Sequence, residues 1–130
     1  MIHETRVIPL DARAHINENI RPYAGSGRGH WEGGTLVVKS TNLTDRTGVG
    51  VGGAHSAGLK LVETYTRVDP EMIRYTATID DSAMFTAPFT DRVMFATTPG
   101  YQMYEYSCHE GNGARNRKAC GTDVASFGAW

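Results

Sequence analysis

Cysteine is nearly absent from this chain: Cys108 and Cys120 are the only two in 130 residues. Two are too few for a disulfide framework, and their spacing offers none of the close ligand pairs of a zinc site. Reduced thiols are the default, with a Cys108 to Cys120 bridge the alternative in an oxidising compartment. No apolar run approaches the roughly 18 to 20 residues that cross a bilayer. Met1-Ile2-His3-Glu4 has neither the basic nor the apolar region of a signal peptide. The chain by itself is therefore expected to stay in the cytoplasm and off the membrane. Neither sign of charge is in excess, Lys+Arg 13 against Asp+Glu 14 giving -1, which argues against generic nucleic-acid binding. No His-x-His, His-x-x-x-His or Cys-x-x-Cys spacing occurs, nor a Gly-x-Gly-x-x-Gly opening a helix, nor a Gly-x-Ser-x-Gly elbow. No metal and no cofactor are expected.

What is present suits a single small domain. Apolar residues make up 40% and charged residues 21%, enough for an ordinary core. Gly 15 and Pro 5 punctuate intervals rich in β-branched and aromatic residues, the pattern of short strands joined by turns. Residues 29–43 read as a β-hairpin turning at Gly33-Gly34, because a tight hairpin needs positive φ. Residues 44–58 hold Gly48, Gly50, Gly52, Gly53 and Gly58 and read as a mobile loop that buries little. A second hairpin joins 59–68 to 72–79 through Asp69-Pro70-Glu71. If Asp69 and Met72 close it, Val62, Thr64, Thr66 and Val68 share a dry face with Ile73, Tyr75, Ala77 and Ile79. Leu61, Glu63, Tyr65 and Arg67 then share the other face with Arg74, Thr76, Thr78 and Asp80, which either meets solvent or lines a polar cavity.

Further strands are expected over 85–96, interrupted by Pro88, and over 101–108. Arg6-Val7-Ile8-Pro9-Leu10 reads as another short strand, and 15–20 as one helical turn with Ile16 and Ile20 inward. Residues 113–130 form a candidate docked arm of the single domain. The expected fold is all-β, an antiparallel meander of about six to eight strands curled into a partial barrel or sandwich, with little helix. Its open edges favour a homodimer.

Two clusters carry candidate chemistry. Cys108-His109-Glu110-Gly111-Asn112 falls where a strand ends, and His109 suits a general acid or base oriented by Glu105 or Glu110. A Cys108-His109 dyad is disfavoured, because neighbours on a strand point to opposite faces. Arg28-Gly29-His30-Trp31-Glu32-Gly33 pairs an aromatic plane with a forked donor, which suits a planar or sugar-like ligand, although a Trp beside a hairpin turn also serves as a core plug.

Ile8-Pro9-Leu10-Asp11, the run Arg28 to Val38, Val62-Glu63-Thr64-Tyr65-Thr66-Arg67, Asp80-Asp81 and the run Tyr104 to Asn112 resemble a group of uncharacterised proteins from environmental bacteria. The resemblance covers about residues 3 to 112 and implies no activity. Members of that group are often longer, with an exported N-terminal portion and an apolar helical ending that differs from the tail here. The resemblance adds a choice of residues: Arg28, Trp31, Glu32, Glu63, Arg67, Glu105, His109, Glu110 and Asn112. Glu63 with Arg67 also admits a bland reading, a surface ion pair of little worth.

The leading expectation is a domain that binds a small polar or sugar-like molecule in a pocket on the polar face of the sheet. Arg28, Trp31, Glu32, Glu63, Arg67 and Asn112 would hold the ligand. The alternatives are an acid-base hydrolase or lyase using His109 with a carboxylate from Glu105 or Glu110, and an interaction domain without a pocket.

Overall fold

The computed structural model describes residues 6–49 and 53–101. Residues 6–99 belong to one compact unit. The fold is all-β, with no helix among the described residues. Its strands are β1 (Ser26–Glu32), β2 (Thr35–Thr41), β3 (Gly48–Val49), β4 (Gly53–Ala54), β5 (Lys60–Asp69), β6 (Met72–Asp80) and β7 (Phe89–Ala96). Five of them form one curled antiparallel sheet, in the order β1-β2-β5-β6-β7, that does not close into a barrel. The β3-β4 pair is a separate two-stranded ribbon inserted between β2 and β5.

Both expected hairpins form, and local turn chemistry explains each. Gly33 takes φ +58 at the first central position of the β1-β2 turn, as a II′ turn requires. At the β5-β6 turn Asp69 Oδ1 accepts the Glu71 amide at 2.8 Å. Arg67 reinforces that turn by donating to the carbonyls of Asp69 (3.2 Å) and Pro70 (2.6 Å). β7 begins directly after Pro88, which lacks the amide a ladder needs.

The register of the second hairpin departs from expectation by one residue. Asp69 does pair with Met72, but a bulge at Val68 shifts the ladder, so that Arg67 opposes Ile73, Tyr65 opposes Tyr75, Glu63 opposes Ala77 and Leu61 opposes Ile79. A one-residue slip exchanges the two faces of a strand relative to its partner. Leu61, Glu63, Tyr65 and Arg67 therefore join Ile73, Tyr75, Ala77 and Ile79 on one side, and Val62, Thr64 and Thr66 lie with Arg74, Thr76 and Thr78 on the other. The second side is laced by cross-strand hydroxyl pairs, Thr35 to Thr66 at 2.8 Å and Thr78 to Thr90 at 3.0 Å.

The core sits on the first side. Leu43, Leu59, Ala77 and Ile79 are buried, with Leu61, Tyr75 and Phe85 packed against them. Full burial of a side chain such as Leu59 stabilises the fold by about 1.5 to 3 kcal/mol. Across the sheet, Gly27 and Gly29 of β1 leave room for a neighbour: a Cβ on Gly27 would lie 2.6 Å from Ile8 Cδ1, and one on Gly29 2.6 Å from Leu10 Cδ2. Ile8 and Leu10 therefore press into the gap those glycines leave.

Three further expectations change. Residues 6–10 form no strand; a single backbone bond, Gly29 N to Pro9 O at 3.0 Å, ties them to β1. Residues 15–20 make a turn closed by Ile20 N to Asn17 O at 2.9 Å rather than a helical turn, and both isoleucines are exposed. The Gly-rich segment 44–58 carries the β3-β4 ribbon and a buried histidine. His55 Nε2 lies 2.8 Å from Thr47 Oγ1, and its Nδ1 2.8 Å from the Ser56 carbonyl. Asp81, just past β6, accepts Ser56 N at 2.6 Å, Ser56 Oγ at 2.7 Å and Ala83 N at 3.2 Å. Burial alone would raise the Asp81 carboxyl, but these donors prevail and hold it below the usual carboxylate range.

Candidate functional site

A carboxylate facing the apolar side of a sheet needs partners, and Glu63 has three. Its Oε1 accepts Arg6 Nη2 at 2.9 Å, the Tyr65 hydroxyl at 3.1 Å and the Tyr75 hydroxyl at 3.0 Å. Its Oε2 lies 2.7 Å from Arg6 Nη1 in an ion-pair contact that is not aligned as a hydrogen bond, so Oε2 is buried with no hydrogen-bond donor among the described residues. The Glu63 side chain is only 5% exposed against 26% for Arg6. Strand geometry assembles the cluster. Glu63 and Tyr65 are two apart on β5, and the shifted ladder sets Tyr75 opposite Tyr65. Arg6 reaches the site from the segment that Ile8 and Leu10 seat on β1.

The electrostatics follow from that arrangement. Burial, and then the neighbouring charge of Glu63 and its hydrogen bonds, push the phenols of Tyr65 and Tyr75 above the usual tyrosine range. Burial works against the charge on Arg6, but the hydrogen bond and charge of Glu63 outweigh it and keep the guanidinium protonated. The aromatic wall continues outward: Tyr65 and Tyr75 have ring centroids 5.0 Å apart, and Tyr75 and Phe95 5.5 Å apart.

Next to this cluster the same face holds a cavity of about 780 Å3. Leu61, Ala77 and Ile79 contribute from β5 and β6, Phe85 and Phe89 from the β6-β7 connection and β7, and Tyr75 joins cavity to cluster. Polar side chains are few, Thr47 and Asp91 among them. Asp81 helps build one wall, since its carbonyl accepts the amides of Met84 (3.0 Å) and Phe85 (2.8 Å).

Of the sequence-predicted residues, Glu63 alone of those described stands in this assembly. The surface pairing of Glu63 with Arg67 is replaced: Glu63 binds Arg6, and the exposed Arg67 caps the β5-β6 turn. Arg28 lies on the opposite side of β1, where its guanidinium donates to the carbonyls of Arg13 and Ala14 and so fastens the preceding segment. Trp31 is neither plug nor cavity wall, being 62% exposed among the described residues. Glu32 is exposed and sits 2.7 Å from His30 Nε2. These three therefore do not converge with Glu63, and the cavity lies where Leu61 of the expected polar face meets Tyr75, Ala77 and Ile79 of the expected dry one. Glu105, His109, Glu110 and Asn112, with Cys108, Cys120 and the 113–130 arm, lie outside the described residues.

Sequence reading missed Arg6 as the partner of Glu63, because 57 residues separate them. It also missed the pairing of Ser56 with Asp81, for which the only signal was an acidic residue following a strand. Among the described residues no group of three or more His, Cys, Asp or Glu could hold a metal ion, and no helix is long and apolar enough to cross a membrane. Comparison with protein families, with curated proteins and with solved structures finds no match.

Proposed function

We propose that the domain binds a small, mainly apolar molecule in the cavity on the inner side of its sheet. The volume of that cavity, about 780 Å3, carries the reading. It falls within the roughly 300 to 1,000 Å3 usual for small-molecule sites, and its walls combine many apolar side chains with few polar ones. Aromatic groups from Tyr75, Phe85 and Phe89 favour a planar ligand, and Thr47 and Asp91 offer polar contacts at the margin. The polar or sugar-like ligand suggested by the sequence fits this lining less well.

The test is a cavity-filling variant. Ala77 is 7% exposed and lines the cavity, so Ala77→Phe puts a ring into the space a ligand would take. An environment-sensitive naphthalene dye should bind the wild-type protein saturably and lose at least about tenfold in affinity in the variant, a loss of about 1.4 kcal/mol. Equal dye binding by a variant with an unchanged near-UV spectrum would refute the proposal.

A further inference from the structure

Glu63 is a nearly fully buried carboxylate whose cationic partner comes from a segment that holds to the sheet by one backbone bond and the side chains of Ile8 and Leu10. The receiving half of the contact belongs wholly to the sheet. β5 supplies the carboxylate and Tyr65, β6 supplies Tyr75, and two tyrosine hydroxyls already fix the carboxylate plane through Oε1. Such preorganisation lowers the ordering that binding requires. The donating half is a single side chain. Val7, next to Arg6, is 79% exposed, and Leu10 is exposed beside Gly29.

We propose that Glu63, Tyr65 and Tyr75 form a recognition slot for a guanidinium group, and that Arg6 is its intramolecular occupant. Arg6 Nη2 donates to Oε1 at 2.9 Å while Nη1 lies 2.7 Å from Oε2 without aligning on it, so one planar cation spans both oxygens, as an alkylammonium point charge does not, and the buried Oε2 is left to accept from a guanidinium seated more squarely than that of Arg6. The tyrosine hydroxyls occupy the remaining acceptor directions of Oε1, which leaves the Arg6 side as the open approach. A ligand carrying a guanidinium can therefore replace Arg6 without rebuilding the sheet, and releases residues 6–10 when it does. This inference does not rest on the cavity being filled, because Tyr75 is the one slot residue that also lines the cavity and Glu63 and Tyr65 do not.

The experiment uses the full chain carrying Arg6→Ala and the small probe methylguanidinium. The variant is expected to bind it saturably in the millimolar range and to gain thermal stability as it does. N-methylurea, the neutral isostere, should bind at least about tenfold more weakly, and Arg6→Ala combined with Glu63→Gln should not respond. If Arg6→Ala does not fold alone, methylguanidinium is expected to restore its β-sheet circular dichroism where N-methylurea does not. Absence of any saturable response or rescue overturns the slot. In wild-type protein the tethered Arg6 competes at an effective concentration on the order of millimolar, so the probe must exceed that level. The Arg6 Nε–H signal in 15N spectra should then move toward that of free arginine. A signal that stays in place overturns replacement of Arg6 by an external ligand.

Discussion

Replacing Glu63 by Ala removes the acceptor of three donors at once. The Arg6 guanidinium keeps about a quarter of its side-chain exposure, 26%, and so recovers part of its hydration, but both tyrosine hydroxyls lose their only hydrogen-bond acceptor among the described residues. Breaking a buried pair costs about 3 to 5 kcal/mol, and partial exposure of Arg6 places this case at the lower end, about 3 kcal/mol. Domains of this size have about 5 to 15 kcal/mol in total, so the variant should fold but marginally. Replacing both partners, Arg6→Leu with Glu63→Leu, removes the desolvation penalty together with the attraction. That pair should recover the part of the loss that comes from the unpaired charge and still lie below wild type, because both tyrosine hydroxyls remain without their acceptor. Urea denaturation of wild type, both single leucine variants and the double variant gives a coupling energy on the order of 2 to 3 kcal/mol if the contact is as described. Additive single effects, or a loss below about 1 kcal/mol for Glu63→Ala, would refute the buried pair.

Other outcomes follow from separate parts of the molecule. Gly25 has φ +68, and a Cβ there would lie 2.8 Å from both Leu43 Cγ and the Thr41 carbonyl oxygen. Gly25→Ala should therefore cost about 2 to 4 kcal/mol in a denaturation curve, while Gly34→Ala, with open space around it, should stay within about 0.5 kcal/mol. Ser40 is 1% exposed and its hydroxyl has no hydrogen-bond partner among the described residues, so Ser40→Ala should raise stability by about 1 kcal/mol; a loss of that size would reveal a missing partner. The raised phenol of Tyr75 favours its neutral form in the folded state. The stability it confers is full below the ordinary tyrosine value of about 10 and is lost as pH rises beyond it. Tyr75→Phe should remove one late-titrating phenol from the absorbance titration. The Asp81 carboxyl is lowered, so its contribution is present above about 3.9 and fades as pH falls through the folded value. Asp81→Asn should flatten that acid limb, and an unchanged pH profile would show that Ser56 does not hold the charge.

The sequence made legible whatever depended on neighbouring residues. Gly33-Gly34 and Asp69-Pro70 specify turns within four residues, so both hairpins and the all-β class could be read directly. The faces of the second hairpin could not. A bulge at Val68 has no mark in Arg67-Val68-Asp69, and it turns the β5 residues over, so that Leu61, Glu63 and Tyr65 rather than Val62, Thr64 and Thr66 join the dry face of β6. Charge singles out Glu63 in the sequence, whereas its chemistry comes from a partner 57 residues away. Arg28 and Arg67 looked like ligand-binding groups for the same reason, yet each satisfies backbone carbonyls. A guanidinium suits either task, and only the surrounding backbone decides between them.

Cross-strand nuclear Overhauser contacts between β5 and β6 test the arrangement most directly. The shifted ladder predicts contacts between the rings of Tyr65 and Tyr75, which the structure places 5.0 Å apart, and between the side chains of Leu61 and Ile79. Backbone contacts pairing Tyr65 with Thr76, and Glu63 with Thr78, would mean that Val68 is not bulged and that Glu63 faces away from the apolar side.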